Sequence, residues 1–349
     1  MRALISSSYI NAYAIFKGLS KLGIQGFTLD RYPSFPIPSS PQSVQADYLF
    51  FTEEASLRLA MNGVLKGSYL PRHFPLKLLD DKWEFAEWLK ESPRLPSSVL
   101  QWSLDDYELA TYPCLLKAKH SWVDGVKSPR GWICYSKTVL RVHLDNLVSS
   151  GYNQDDFFIQ QWLGDSEHRL ISVCGFFDSL NHHRNLVSLV ERMASHGKGL
   201  SCSSAVQVTD DSWRLVEKTA LILDELQFTG PFEIEYLVLN ECEFVLELNP
   251  RFWMQHSIFL QSGNGLLKRY LGVDNERDHE IAEIKNVVWI DGVHLVRCVL
   301  RLQLAFPLTA LRTVCNKSLY VTFCPSLYVA VIVLLRLLLA RLRMLCIRN

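Results

Sequence analysis

Residues 232–253 read FEIEYLVLNECEFVLELNPRFW, two runs in which apolar residues alternate with acids on either side of Asn240 and Glu241. A period of two predicts strands over Phe232–Leu239 and Glu243–Leu248, joined by a turn centred on Glu241. A hairpin symmetric about Glu241 sets Glu235 opposite Glu247 and Glu233 opposite Asn249. Parity then puts Phe232, Ile234, Tyr236, Val238, Phe244, Leu246 and Leu248 on a core face. The other face gathers Glu233, Glu235, Glu247 and Asn249.

Like charges directly opposite destabilise a sheet, so the acidic face calls for a cation. Carboxylate and amide oxygens without imidazole or thiolate suit a hard ion, Mg²⁺ ahead of Ca²⁺ or zinc. The plainer alternative is the solvated face of an antiparallel sheet.

FEIEYLVLNECEFVLELNPRFW resembles the metal-binding hairpin of ATP-grasp enzymes, in which an ExN motif follows an acid on the preceding strand. ELNPRFW is close to the form seen in predicted ATP-grasp carboxylate–amine ligases. The resemblance implies that Glu235, Glu247 and Asn249 hold Mg²⁺, or Mn²⁺ in its place, against the phosphates of ATP. It also implies that Arg251 binds phosphate or a substrate carboxylate, a role suited to a planar bidentate donor.

Other stretches extend the likeness. Lys82 follows two acids in LLDDKWEFAEWL at a helix start, and Lys117 lies in the short apolar strand PCLLKAK. Either alone reads as a snorkelling surface lysine; the family similarity makes both phosphate ligands. Ala118 stands where the family has proline, and Lys119–Gly131 carries only Gly125 and Gly131, fewer glycines than the family's phosphate-covering loop. FIQQWLGDSE looks like the interdomain hinge, which by position points to Gln160, Gln161 and Leu163 for adenine and Glu167 for ribose. An amide there still accepts from the adenine amine. ERMASHGKG resembles the family's Arg-then-glycine segment and makes Arg192 a candidate for the γ-phosphate or acyl phosphate; a solvated helix end is the alternative.

The start of the chain reads as a βαβ unit. A strand over Met1–Ile5 leads through a polar turn to a helix over Ala12–Leu22 closed by Gly23, then a strand over Gly26–Leu29. RYPSFPIPSSP is a loop, because proline fixes φ and supplies no donor. Further elements are a strand at Asp47–Phe51, a helix at Asp80–Lys90, antiparallel runs from Tyr112 to Asp178, and an amphipathic helix at Trp213–Leu226. The expected fold class is α/β and α+β. A Rossmann-like pre-ATP-grasp domain (1–78) precedes an ATP-grasp domain (79–275) of two α+β subdomains with its hinge near 158–165. A C-terminal segment (276–349) ends in a leucine- and arginine-rich helix.

Lys plus Arg and Asp plus Glu are equal at 36 each, so no global field favours nucleic acid. The nine cysteines are single, without a CxxC pair, and read as reduced, mostly buried thiols of a cytoplasmic protein. The N-terminus lacks an apolar run of signal-peptide length. The run from Leu327 to Ala340 is broken by Arg336. A packed terminal helix is the first reading, and a peripheral contact with the inner face of a membrane the second.

Two functions follow. The first is an ATP-dependent ligase joining a small-molecule carboxylate to an amine through an acyl phosphate, with release of ADP and phosphate. The second is a non-catalytic ATP-binding protein, membrane-associated through its C-terminal helix. Nothing in the sequence fixes the substrates or the oligomeric state.

Overall fold

The computed structural model describes residues 1–6, 10–28, 46–123, 126–129, 131–164, 168–195, 203–210, 212–260, 265–274, 287–292, 294, 295, 298 and 320–324. The leucine-rich run, Glu167, and the glycine-bearing segment after Ser195 lie outside them.

Strand β1 (Arg2–Ser6), helix α1 (Ile10–Lys21), β2 (Gln25–Thr28) and β3 (Tyr48–Phe51) form a parallel sheet in the order β2-β1-β3. The strands read as near-continuous apolar runs because both faces are covered. Ala3 and Ile5 enter one core while Leu4, between them, enters another. Helix α2 (Glu54–Met61) follows β3 and buries Leu57 and Ala60. The sequence reading has no counterpart for it: the helix has only 8 residues, and Glu53 at its N-cap makes no side-chain capping bond.

Helix α3 (Lys82–Glu91) is capped by Asp81, whose carboxylate accepts from the backbone N–H groups of Trp83 and Glu84 at 3.0 Å each. Strands β4 (Gln101–Trp102), β5 (Cys114–Ala118), β8 (Trp132–Cys134) and β9 (Phe157–Gln161) make an antiparallel sheet ordered β4-β9-β5-β8. Between β5 and β8 the strands β6 (Trp122–Val123) and β7 (Val126–Lys127) form a separate hairpin. Helix α4 (Lys137–Ser149) sends Leu140 and Leu147 into the core of this sheet. It too is absent from the sequence reading, although the Ser136 N-cap and the helical spacing of Leu140, Leu144 and Leu147 mark it.

The largest sheet has seven strands. In chain order they are β10 (Arg169–Asp178), β11 (Leu186–Ser195), β12 (Ser203–Thr209), β13 (Thr229–Leu239), β14 (Cys242–Asn249), β15 (Val287–Asp291) and β16 (Tyr320–Cys324). They are arranged β14-β13-β10-β11-β12-β15-β16. Helix α5 (Arg214–Glu225) buries Leu215, Ile222 and Leu223 against Ile171, Val173, Ile234 and Tyr236 on one face. The opposite face, through Cys174, Phe176, Val190 and Val206, packs on α1, on β1, and on Phe252, Trp253 and α6 (Gly265–Leu271).

The hairpin departs from strict symmetry once. Glu233 lies opposite Asn249 and Glu235 opposite Glu247, as expected, but Tyr236 pairs with Val245. Leu246 is the extra residue of a bulge, and the turn closes on Asn240 and Glu241 at φ of 48° and 65°. The bulge reverses the parity of the outer half of β14. Val245 and Leu248 are the buried residues, and Phe244 and Leu246, assigned to the core face from the sequence, are only partly covered.

Among the described residues no helix is long and apolar enough to cross a membrane.

His256 is fully buried. Its Nδ1–H donates to the carbonyl of Trp253 at 2.6 Å, and Nε2 meets no hydrogen-bond partner among the described residues. Burial depresses its pKa to about 4 from the ordinary 6.5. The unfolded chain therefore binds a proton below pH 6.5 that the folded chain refuses until about pH 4. Between those limits the parent should lose roughly 3 kcal/mol of stability that His256→Gln retains, read from urea unfolding at several pH values.

Candidate active site

The inner half of the hairpin puts four oxygen-bearing side chains on one face. Asn249 Nδ2 donates to Glu233 Oε2 at 3.2 Å, and Glu235 and Glu247 stand directly opposite each other. Cations from four other places converge on them. Arg192, on β11, donates from Nη2 to both oxygens of Glu235 at 3.0 and 3.1 Å and from Nε to Ser203 at 2.8 Å. It lies within a strand and not at a helix end. Arg251 donates from Nη2 to Asn249 Oδ1 at 3.2 Å and from Nε to Glu54 at 2.6 Å.

Lys82 is the first residue of α3, so the Asp81 cap fixes where its side chain starts. Its Nζ lies 3.6 Å from Asp80, 4.0 Å from Glu247 and 3.3 Å from the hydroxyl of Ser121. Lys117 is carried by β5 opposite Phe158 of β9. Glu54, Asp80, Lys82, Glu247 and Asn249, with Phe85 and Leu248 among the apolar lining, border a small open cleft.

The charges respond to burial and to one another. Burial, and then the adjacent Glu235, push Glu233 up to about 8. Burial also raises Glu235, against the pull of Arg192. Burial would raise Glu247 as well, but Lys82, Lys117, Arg251 and Arg192 together outweigh it and hold Glu247 below the usual range. Lys117 is lowered by burial and by Lys82, with Glu247 and Glu235 opposing. Lys82 is raised, because Glu247, Asp80 and Glu54 overcome its burial.

The donor set fits a hard divalent cation. Two facing carboxylates and an amide oxygen offer only oxygen. Among the described residues no three acidic, histidine or cysteine side chains form a metal cage by themselves; the amide of Asn249 is needed to complete a set of three.

Of the residues singled out from the sequence, Lys82, Lys117, Arg192, Glu235, Glu247, Asn249 and Arg251 share one electrostatic network. Gln160, Gln161 and Leu163 sit apart from it. Gln161 is three residues beyond the partner of Lys117 along β9, about 10 Å away at strand rise. Gln160 is buried inside the four-stranded sheet, while the backbone N–H groups of Gln161 and Trp162 donate to Leu100 O at 2.8 Å and Pro113 O at 3.3 Å. Those two donors are therefore used within the protein. The sequence reading missed Glu54, Asp80, Ser121 and Ser203. Asp80 was legible beside Asp81, and its φ of 61° turns the chain into α3. Glu54 carried no local signal, being 197 positions from Arg251.

No family model matches the chain, and no curated protein matches it in sequence. Solved structures do. The chain is similar to N5-carboxyaminoimidazole synthetase from Staphylococcus aureus complexed with ADP, at a TM-score of 0.58 and 14% identity over 78% of each chain. It is also similar to biotin carboxylase from Campylobacter jejuni in a β,γ-ATP complex, at 0.55 and 13%, covering 81% of this chain and 71% of that one. L-amino acid ligase from Bacillus licheniformis matches at 0.53 and 14%, covering 81% and 75%. The likeness is one of fold: the chain has an ATP-grasp-like α/β fold.

Glu54 and Arg251 form a buried ion pair, their side chains 8% and 17% exposed. Removing one partner strands the other's charge. Glu54→Ala should cost about 3 kcal/mol in chemical unfolding, and the double variant with Arg251→Met should recover most of that loss.

Proposed function

We propose that this chain is an ATP-dependent ligase that joins a small-molecule carboxylate to an amine through an acyl phosphate. One observation carries the reading: the pairing of Glu235 with Glu247 and of Glu233 with Asn249, surrounded by Lys82, Lys117, Arg192 and Arg251. Such a cluster handles several negative oxygens at once, which phosphoryl transfer requires and which needs no covalent nucleophile from the protein.

In this reading a carboxylate oxygen attacks the γ-phosphorus and the bond to ADP breaks. The amine then attacks the acyl carbon and inorganic phosphate leaves. Lys82 and Lys117 neutralise phosphate oxygens, and Arg192 and Arg251 orient the transferred group or the substrate carboxylate. Glu235, Glu247 and Asn249 would hold Mg²⁺ or Mn²⁺, which when bound supplies positive charge to the phosphates. Gln160, Gln161 and Leu163 would contact adenine, with the side-chain amides and the Leu163 backbone as donors and acceptors, and Glu167 the ribose.

The domain division at 78 and 275, a cytoplasmic location, and an amino acid or peptide as default substrate belong to the same proposal. The balanced charge, 36 basic against 36 acidic residues, supports small molecules over nucleic acid as partners.

ADP release measured with MgATP and a panel of amino acids, peptides and sugar acids tests the reading. At least one carboxylate and amine pair should give ADP and phosphate in equal amounts, and Glu247→Gln should abolish this with an unchanged circular dichroism spectrum. Nucleotide binding with no ADP from any pair would leave only a non-catalytic ATP-binding protein. Turnover by Glu247→Gln at the parent rate would remove Glu247 from the metal site.

A further inference from the structure

Cys114 of β5 and Cys134 of β8 are direct cross-strand partners, and neither has exposed surface. Both are free thiols; Cys134 Sγ donates to Trp132 O at 3.6 Å, and the two thiols act on each other's ionisation, Cys114 being held above the usual thiol range and Cys134 below it. Residues directly opposed in an antiparallel pair have Cα atoms about 4.5–5.5 Å apart, inside the window of roughly 4.4–6.8 Å that a disulfide needs. The ladder therefore brings the two Cα atoms within the range that a bridge spans. Other described cysteines lack this arrangement; Cys174 faces Ser188 and Glu233, and Cys242 faces Leu239.

We propose that Cys114 and Cys134 form a reversible thiol–disulfide site, oxidised by a small-molecule disulfide such as glutathione disulfide. The site is independent of the ligase reading. Access comes from β8, a three-residue strand that among the described residues lies at the edge of its sheet and pairs with β5. Short edge strands open locally without global unfolding. Between the two thiols, Cys134 is the attacking one. The neighbouring Cys114 thiol and the Leu116 backbone hold the Cys134 thiol below its usual range against burial, whereas Cys114 is held above it.

Cys134 gives its proton to solvent and attacks one sulfur of the small disulfide, breaking that bond and releasing one thiol. Cys114 then loses its proton and attacks the Cys134 sulfur of the mixed disulfide, which forms the cross-strand bond and releases the second thiol. Two electrons pass from the protein thiols to the small disulfide. The product ties β8, which ends the segment carrying the β6–β7 hairpin, to the strand that bears Lys117.

The full chain should be equilibrated in glutathione buffers of graded oxidised-to-reduced ratio, its free thiols alkylated, and its peptides mapped by mass spectrometry. The expected result is a linked pair of peptides containing Cys114 and Cys134 that appears with oxidation and disappears on reduction. Amide exchange in 132–134 should slow roughly tenfold in the oxidised form. Cys134→Ala should abolish both effects. Recovery of both cysteines as alkylated thiols in every buffer would overturn the proposal, as would glutathione attached to either without the cross-link. Should the alanine variant fail to fold, the parent's peptide map decides alone.

Discussion

Glu235 and Glu247 face each other across a ladder, on a partly buried sheet face that borders the cleft, and their repulsion organises everything around them. Charges that close and that shielded are tolerated only with compensation. It comes from Lys82 at the head of α3, Lys117 on β5, Arg192 on β11 and Arg251 beyond β14. These residues belong to different elements, so the hairpin's electrostatics link the four-stranded sheet and the seven-stranded sheet to one point. The compensation is uneven. Four cations hold Glu247 ionised, while Glu235, with burial and a facing carboxylate against it, stays above the usual range despite Arg192.

The parallel N-terminal sheet is part of the same construction. The backbone N–H of Phe252 donates to Phe51 O at 3.1 Å, and the Tyr270 hydroxyl donates to Leu49 O. Glu54, just after β3, holds Arg251. These contacts join the carboxyl end of β3 to the residues that follow Asn249. In open parallel sheets that is the edge where ligand sites form, because helix starts and free backbone groups collect there. Glu54 also fixes the guanidinium of Arg251 through Nε, so the direction of its remaining donors is set from the parallel sheet.

Much of the site was legible because its information is local. Alternation in FEIEYLVL and EFVLEL fixes two strands, and the turn between them fixes which acids oppose, so Glu233, Glu235, Glu247 and Asn249 could be grouped without a structure. The bulge at Leu246 was not legible, since one extra residue leaves the apolar pattern equally good in either parity. It falls on the outer side of Glu247 and so reversed the expected burial of Phe244 and Val245 while leaving the acidic pairs intact. Helices α2 and α4 were missed for a related reason: each buries few residues, and a narrow apolar stripe is a weak periodic signal.

The sequence by itself determined the hairpin, the βαβ opening, the Asp81–Lys82 helix start and the identity of the residues that carry charge. These follow from periodicity, capping chemistry and proline placement, all of which act within a few residues. Tertiary structure alone decided that Arg192 meets Glu235, that Glu54 meets Arg251 across 197 positions, and that Cys114 lies beside Cys134. Those meetings depend on strand order and on the packing of separate sheets, and side chains distant in sequence carry no local mark of the partner that folding will bring to them.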